Sequence, residues 1–252
     1  MKQLNKVASI SLLFWLMEIV ATTLGETLGD FISMTLNLGY VAGILITSII
    51  FSIILLVQLS AEQYMPLKYW LVIIGTTTLG TEISDFMDRT LEVGYFFGSI
   101  ILVFCLIITL FLWYKEFGSL EVYPVSEKRK EMFYWTAVLF SNSLGTAFGD
   151  FLSDSMGLSY LNGALITGSI ILVIVLLHYF TKLNRVLLFW IAFIFTRPFG
   201  ATFGDFLTKP MVKGGLDIGT LNASVVSLLL MAVLIPSLTP GIKKNQLGDT
   251  LL

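Results

Sequence analysis

Charge, cysteine and histidine are all scarce in this chain of 252 residues. Charged residues make up 13% of it, against about 25% in ordinary soluble domains. A single cysteine, Cys105, excludes a disulfide framework within one chain, and with a single histidine, His178, it also excludes a Cys/His zinc site. The net charge of −2 leaves no basic footprint for nucleic acid. Polar linkers are scarce too: the only long one is KEFGSLEVYPVSEKRKE, residues 115–131. What is plentiful is apolar sequence, 56% of residues with a mean hydropathy of +0.87. That composition describes an integral membrane protein whose partner is the lipid bilayer. Lys2 and Lys6 precede an apolar run, as in a signal peptide. The run continues to about Leu24 with Glu18 inside it, and no small-x-small cleavage site stands out, so a retained first span is expected.

One stretch of eleven residues is written four times. It begins at Leu24 (LGETLGDFISM), Leu79 (LGTEISDFMDR), Leu144 (LGTAFGDFLSD) and Phe199 (FGATFGDFLTK), at spacings of 55, 65 and 55. Ungapped alignment places Gly25, Gly80, Gly145 and Gly200 in register, then Asp30, Asp85, Asp150 and Asp205, each followed by phenylalanine. A fixed period of this kind sets the architecture. Eight spans of about 20 apolar residues are expected, near 7–28, 38–59, 68–88, 94–114, 132–152, 158–180, 186–207 and 219–238. Odd spans end in the motif and even spans follow it. The expected fold is therefore an all-α, eight-helix membrane bundle, one transmembrane domain over 1–252. Its four parallel helical-hairpin repeats cover about 7–60, 66–115, 131–181 and 185–238, and the two halves are related by duplication at 120 residues. The even spans are apolar all round, fit either to face lipid or to fill the bundle. Gly39-Tyr40, Gly94-Tyr95 and Ser159-Tyr160 echo one another after the motif, with Gly43, Gly98 and Gly163 three residues past the tyrosine. The fourth repeat departs through Pro210 and Gly214-Gly215, so a distorted turn is expected there.

Eleven of the fifteen lysines and arginines lie on the side of the termini and inter-repeat loops. The positive-inside rule then predicts both termini in the cytoplasm of a cell (inner) membrane protein, with the motifs toward the outside.

Two sets of residues point to function. Gly25/Gly29, Gly145/Gly149 and Gly200/Gly204 are GxxxG pairs, with Gly80/Ser84 the equivalent in repeat two. They predict close packing of the four motif helices, which gathers their aspartates. The second set is acidic: Glu26, Asp30, Glu82, Asp85, Asp88, Asp150, Asp154 and Asp205, faced by only Arg89, Arg197 and Lys209 as charge-balancing bases. A charge at the bilayer centre costs about 2.5–3.5 kcal/mol even on a lenient scale. An excess of acids therefore calls for water, protons or a bound cation. Asp30, Asp85, Asp150 and Asp205 are expected to form a ring able to bind a metal, made asymmetric by Glu26, Glu82 and Asp154. The plainer alternative is that each aspartate caps a turn.

Threonine, serine and asparagine flank the acids in every repeat. At eight residues before the aspartate stand Thr22, Thr77, Asn142 and Arg197. A lone threonine in a membrane helix bonds its own backbone, whereas four matching polar positions suggest a hydrated lining. Oxygen ligands favour a hard ion, Mg²⁺, Mn²⁺ or Ca²⁺. Glu18 fits either a relay station or a residue snorkelling to the interface. No resident cofactor is expected, and the oligomeric state is not readable.

The stretches ATTLGETLGDFISMTLNLGY, FYWTAVLFSNSLGTAFGD and LFWIAFIFTRPFGATFGDFLTKP resemble a bacterial and archaeal family of uncharacterised membrane-anchored proteins. That family is built from four tandem copies of a repeat of unknown function, and the resemblance runs over roughly 7–238. It implies a polytopic membrane protein and brings no assigned site residues. Function rests on the acids. The expectation is a transporter or exporter of a small cation, with a divalent metal such as Mn²⁺ and proton coupling foremost. The alternatives are a non-transporting membrane scaffold and, among enzymes, an intramembrane aspartyl protease, which needs two aspartates sharing a proton. Four near-equivalent copies offer no such distinct pair, so the chain is not expected to be an enzyme.

Overall fold

Three of the four repeats begin a helix at a local signal. The Ser11 hydroxyl accepts from Phe14 N–H, Pro66 stands at the first turn of the third helix, and Asn184 accepts from Val186 and Leu187 N–H. The computed structural model describes residues 5–238. Among these are eight α-helices and no strand: α1 (Leu12–Asp30), α2 (Gly39–Leu59), α3 (Pro66–Asp85), α4 (Tyr95–Phe117), α5 (Lys128–Asp150), α6 (Tyr160–Phe180), α7 (Arg185–Thr208) and α8 (Thr220–Leu234). Six are long and apolar enough to cross a membrane. The two that are not, α3 and α5, carry the polar runs Thr76–Thr78 and Ser141–Ser143, which are buried inside the bundle. The protein is a multi-pass helical membrane bundle.

The odd spans end with the motif, but the aspartate is not their last residue. After Asp30, Asp85 and Asp150 the helix continues for five residues as a π-turn, Phe31–Thr35, Phe86–Thr90 and Phe151–Ser155. The three aspartates have helical backbone angles and make no capping bond, which removes the turn-cap alternative for them. Repeat four differs as its sequence predicts. Its helix stays α-helical through Thr208, then breaks at Lys209-Pro210 into a 3-10 turn, Met211–Lys213, closed by the left-handed Gly214.

Helices α1, α3, α5 and α7 form a closed square, each packed on the next and α7 back on α1. The glycines explain the close approach. A Cβ on Gly25 would lie 2.2 Å from Thr77 Oγ1, on Gly80 2.9 Å from Ser143 N, on Gly145 2.2 Å from Arg197 Cγ and on Gly200 2.2 Å from Thr22 Oγ1. The contact is the same four times: the motif glycine of one helix meets the segment eight residues before the aspartate of the next. Gly29, Gly149 and Gly204 extend the seam, their Cβ positions 3.0–3.2 Å from Thr81, Ala201 and Glu26.

The even helices lie outside this square and do not pack along their own hairpin partners. Instead α2 packs on α3, α4 on α5, α6 on α7 and α8 on α1. Their outer faces, such as Leu45, Ile49, Phe97, Phe104, Leu172 and Leu229, are exposed where lipid lies. Of the two roles open to them, they take the lipid-facing one.

The end of the bundle away from the motif is closed by aromatics and a strap. Phe14, Tyr69, Tyr134 and Phe189 occupy one equivalent position and are buried, and Tyr69 and Tyr134 join hydroxyls at 2.5 Å. Trp15, Trp70, Trp135 and Trp190 follow them by one residue and brace neighbouring helices: Phe14 on Trp70, Tyr69 on Trp135, Phe189 on Trp15. Between α5 and α7 it is Trp113 of α4 that fills this role, against Tyr134 and Trp190. Residues 5–8 run beneath. Asn5 carbonyl accepts from Tyr64 N–H, and Lys6 reaches Glu131 as a buried ion pair shared with Gln58.

Candidate functional site at the motif end of the helix square

The acids lie in depth along the axis of the square, because residues four apart on a helix share a face. Nearest the motif end are Asp30, Asp85, Asp150 and Asp205, all at most 3% exposed. One turn deeper stand Glu26, Thr81, Thr146 and Ala201, and a further turn in are Thr22, Thr77, Asn142 and Arg197, all buried. Beyond these lies Glu18, fully enclosed at a depth it shares with Ile73, Val138 and Phe193.

Two bases span the aspartate layer in pairs. Arg89 is 3.4 Å from Asp85 and 3.4 Å from Asp150, and Lys209 is 2.6 Å from Asp30 and 3.2 Å from Asp205. The four aspartates therefore do not converge on one point. Among the described residues, the group that can bring one carboxylate oxygen each within 4.8 Å of one another is Glu26, Asp30 and Asp205, all three buried. This corrects the expected four-aspartate metal set: Asp85 and Asp150 are held apart from it by Arg89, and Glu26 enters from the next layer.

Arg197 occupies the centre. Its guanidinium is wholly buried and donates to three carbonyls, Thr22 O at 2.6 Å, Thr77 O at 3.2 Å and Asn142 O at 3.3 Å. The same Nη2 that reaches Thr77 O lies within hydrogen-bond distance of Glu26 Oε2 at 3.1 Å, Thr146 Oγ1 at 2.8 Å and, closely, Thr81 Oγ1, so these acceptors share its two hydrogens. Thr81 and Thr146 hydroxyls in turn reach the same Glu26 oxygen, at 3.1 and 3.3 Å. Glu26 is thus the only acid on Arg197 among the described residues. Neither oxygen of Glu18 has a hydrogen-bond partner.

Two expected site residues face elsewhere. Glu82 lies one position off the axial face and points at α2, where Gly43 makes room for it: a Cβ there would be 2.7 Å from Glu82 Oε1. Asp154 is exposed beyond the square and accepts from the Tyr95 hydroxyl at 3.0 Å. Asp88, likewise off axis, sits against Gly98 of α4. The asymmetry of the site comes from Glu26 and Arg197, not from Glu82 and Asp154. Most of the hydroxyls keep to their own helices, as Thr22 to Ile19 O, Thr76 to Ile73 O, Ser143 to Leu139 O and Thr196 to Ala192 O. The lining expected of them narrows to Thr81 and Thr146.

The buried tyrosines and the strap ion pair Lys6–Glu131 are additions that the motif alone does not announce. The aromatic positions carry a signal in the sequence: Trp15, Trp70, Trp135 and Trp190 repeat at the motif's own spacing.

A search of curated proteins and of solved structures returns no match to this chain. A family model described as Repeat of Unknown Function (DUF347) matches it four times, over residues 13–64, 68–116, 133–184 and 188–236. Each of these four segments covers one helix of the square and the outer helix that follows it in sequence, and the chain belongs to that repeat family.

Proposed function

We propose that the protein carries a small cation across the membrane along the axis of the helix square, with protons as the coupling ion. The observation that carries this reading is the buried group of Glu26, Asp30 and Asp205, close enough for one ion. Acid rings are a recurrent cation-selective device. The oxygen-only ligands favour a hard divalent ion such as Mn²⁺, Mg²⁺ or Ca²⁺ as cargo. In this reading Lys209 leaves Asp30 when the ion arrives, and Asp85 and Asp150 with Arg89 hold the facing half of the entrance. Glu18 supports the proton coupling. An isolated buried carboxylate is tolerated as the neutral acid, and Glu18 has no partner. The protein sits in the cell membrane with both termini and the basic loops in the cytoplasm, and the aspartate layer opens outward.

The scaffold reading has one observation in its favour: every motif aspartate already has a base within 3.4 Å. Flux separates the two. Protein in liposomes loaded with a divalent-sensitive dye is given Mn²⁺, Mg²⁺, Ca²⁺ or Zn²⁺, with and without a pH gradient. Transport predicts uptake by the wild type that Asp30→Asn and Glu26→Gln abolish, and uptake by Glu18→Gln that no longer follows the pH gradient. Folded wild-type protein that passes none of these ions would sink the transport reading and leave the scaffold.

A further inference from the structure

We infer that Arg197 is a built-in occupant of a cation cage, and that it holds the axis shut. Resting on the transport reading for its role, the cage itself stands on geometry. Six oxygens from the other three helices of the square converge on one guanidinium: the Glu26 carboxylate, the Thr81 and Thr146 hydroxyls, and the carbonyls of Thr22, Thr77 and Asn142. All six residues are at most 4% exposed. The three carbonyls belong to the residues that match Arg197 in the other repeats. One repeat of four thus supplies the cation and the others supply its ligands.

A merely structural pair would be an odd choice here. Well-packed apolar residues fill such a core as stably as a buried ion pair, or more so, and Ile73, Val138 and Phe193 do so one layer deeper. The guanidinium instead lies in depth between Glu26 and the unpartnered Glu18, across the route from the aspartate layer. The chain around it permits movement. Pro198, next in sequence, has no N–H to give the carbonyl of Ile194, so α7 lacks a rung at that point. Gly145 leaves the side chain its passage, since any Cβ there would lie 2.2 Å from Arg197 Cγ. Freed of Arg197, the cage is a site for a compact cation bound by oxygen alone, and for free guanidinium above all, because its fork of donors already fits. A cargo ion that reaches Glu26 competes with Arg197 for it.

The test is ligand-dependent thermal unfolding of the full-length protein in detergent, for wild type, Arg197→Ala and Arg197→Ala with Glu26→Gln. Guanidinium chloride, kept in the low millimolar range, and MnCl₂ are the probes, with choline chloride as the salt control. Arg197→Ala is expected to unfold below wild type and to recover by roughly 5 °C at a hundredfold excess of guanidinium over its Kd. Wild type and the double variant should not respond to guanidinium. Where Arg197→Ala does not fold, Arg197→Gln keeps the volume without the charge. It is expected to show a saturable shift with Mn²⁺ larger than any shift of wild type. Absence of any saturable shift in both variants overturns the cage. Flux is scored separately. A cage that binds in a protein passing no ion would sink the transport reading and keep the site, and variants that bind yet leak no faster than wild type would remove the gate.

Discussion

Arg89 and Lys209 stand 120 residues apart at one position of the motif, and each ties its own aspartate to that of the next helix, Asp85 to Asp150 and Asp205 to Asp30. The two halves of the chain therefore close the aspartate layer by the same device. Each base lies four residues after its own aspartate, Arg89 in the π-turn that follows α3 and Lys209 at the extended residue where α7 ends. The two clasps are not equally tight. Lys209 is 18% exposed with a contact of 2.6 Å, whereas Arg89 is 27% exposed with contacts of 3.4 Å.

That difference predicts unequal losses. Lys209→Met leaves Asp30 and Asp205 buried without a base and should lower stability by about 3 kcal/mol, the lower end for a broken buried pair. Arg89→Met should cost less. Adding Asp30→Asn to Lys209→Met should restore about 1–2 kcal/mol as coupling. Thermal unfolding of these three variants and of Asp30→Asn alone, in detergent, reads this directly, and equal losses from the two bases would contradict the geometry.

The glycine seam predicts a graded response to one methyl group. Gly25→Ala places a Cβ 2.2 Å from Thr77 Oγ1 and 2.3 Å from Thr77 Cβ, so the helices must part. The expected loss is at least about 3 kcal/mol, the upper end for overpacking. Gly149→Ala meets Ala201 Cβ at 3.2 Å and should lose about 1 kcal/mol. Thr77→Ala should not rescue Gly25→Ala, because the Thr77 Cβ remains; a full rescue measured by unfolding would show that the hydroxyl was the obstacle.

The hydroxyl pair of Tyr69 and Tyr134 predicts a non-additive pair of substitutions. Tyr69→Phe leaves the Tyr134 hydroxyl buried with no partner and should cost about 1–3 kcal/mol. Tyr69→Phe with Tyr134→Phe should cost less than either alone, since it completes a layer of four phenylalanines with Phe14 and Phe189. Summing losses would mean that each hydroxyl has a second partner.

At the strap, Lys6→Met strands Glu131, which is fully buried, and should cost about 3–5 kcal/mol. Glu131→Gln added to it should recover most of that loss. The amide oxygen still accepts from Gln58 and Trp135, which already contact this position at 2.9 and 3.4 Å. Limited proteolysis of the connection between α4 and α5 gives a second readout, since Lys6 N–H bonds Val125 O and ties the strap to that connection.

Much of this was legible in the residues, for particular reasons. The period of 55 and 65 residues announces four equivalent helices, and glycine five before aspartate announces how they touch. Spacing of four put Glu26 and Asp30 on one face, and both do face the axis. What spacing in one helix cannot reveal is which neighbour a face meets. Glu82 is three residues from Asp85, close enough to look like part of the same cluster, yet that offset turns it to α2 and the pocket left by Gly43. Hairpin order likewise says that α2 follows α1, not that it packs on α3. Arg197 was visible as the odd member of its set. That it would reach the carbonyls of the other three members depends on a fourfold closure that no local pattern encodes.

The handing-on of each even helix to the next repeat has a consequence for how such a chain can be divided. A half made of the first two repeats would leave α4 without the helix it covers and α1 without the helix that covers it. These open edges are complementary, so two copies of a half have the shape to complete one square as a symmetric dimer. Chemistry opposes what shape allows. Two first halves would bring Glu18 and Glu26 twice and Arg197 not at all, placing four acids in a dry core without their cation. The joined chain is what permits the two halves to become unlike, and the polar centre is the part that needs them to be.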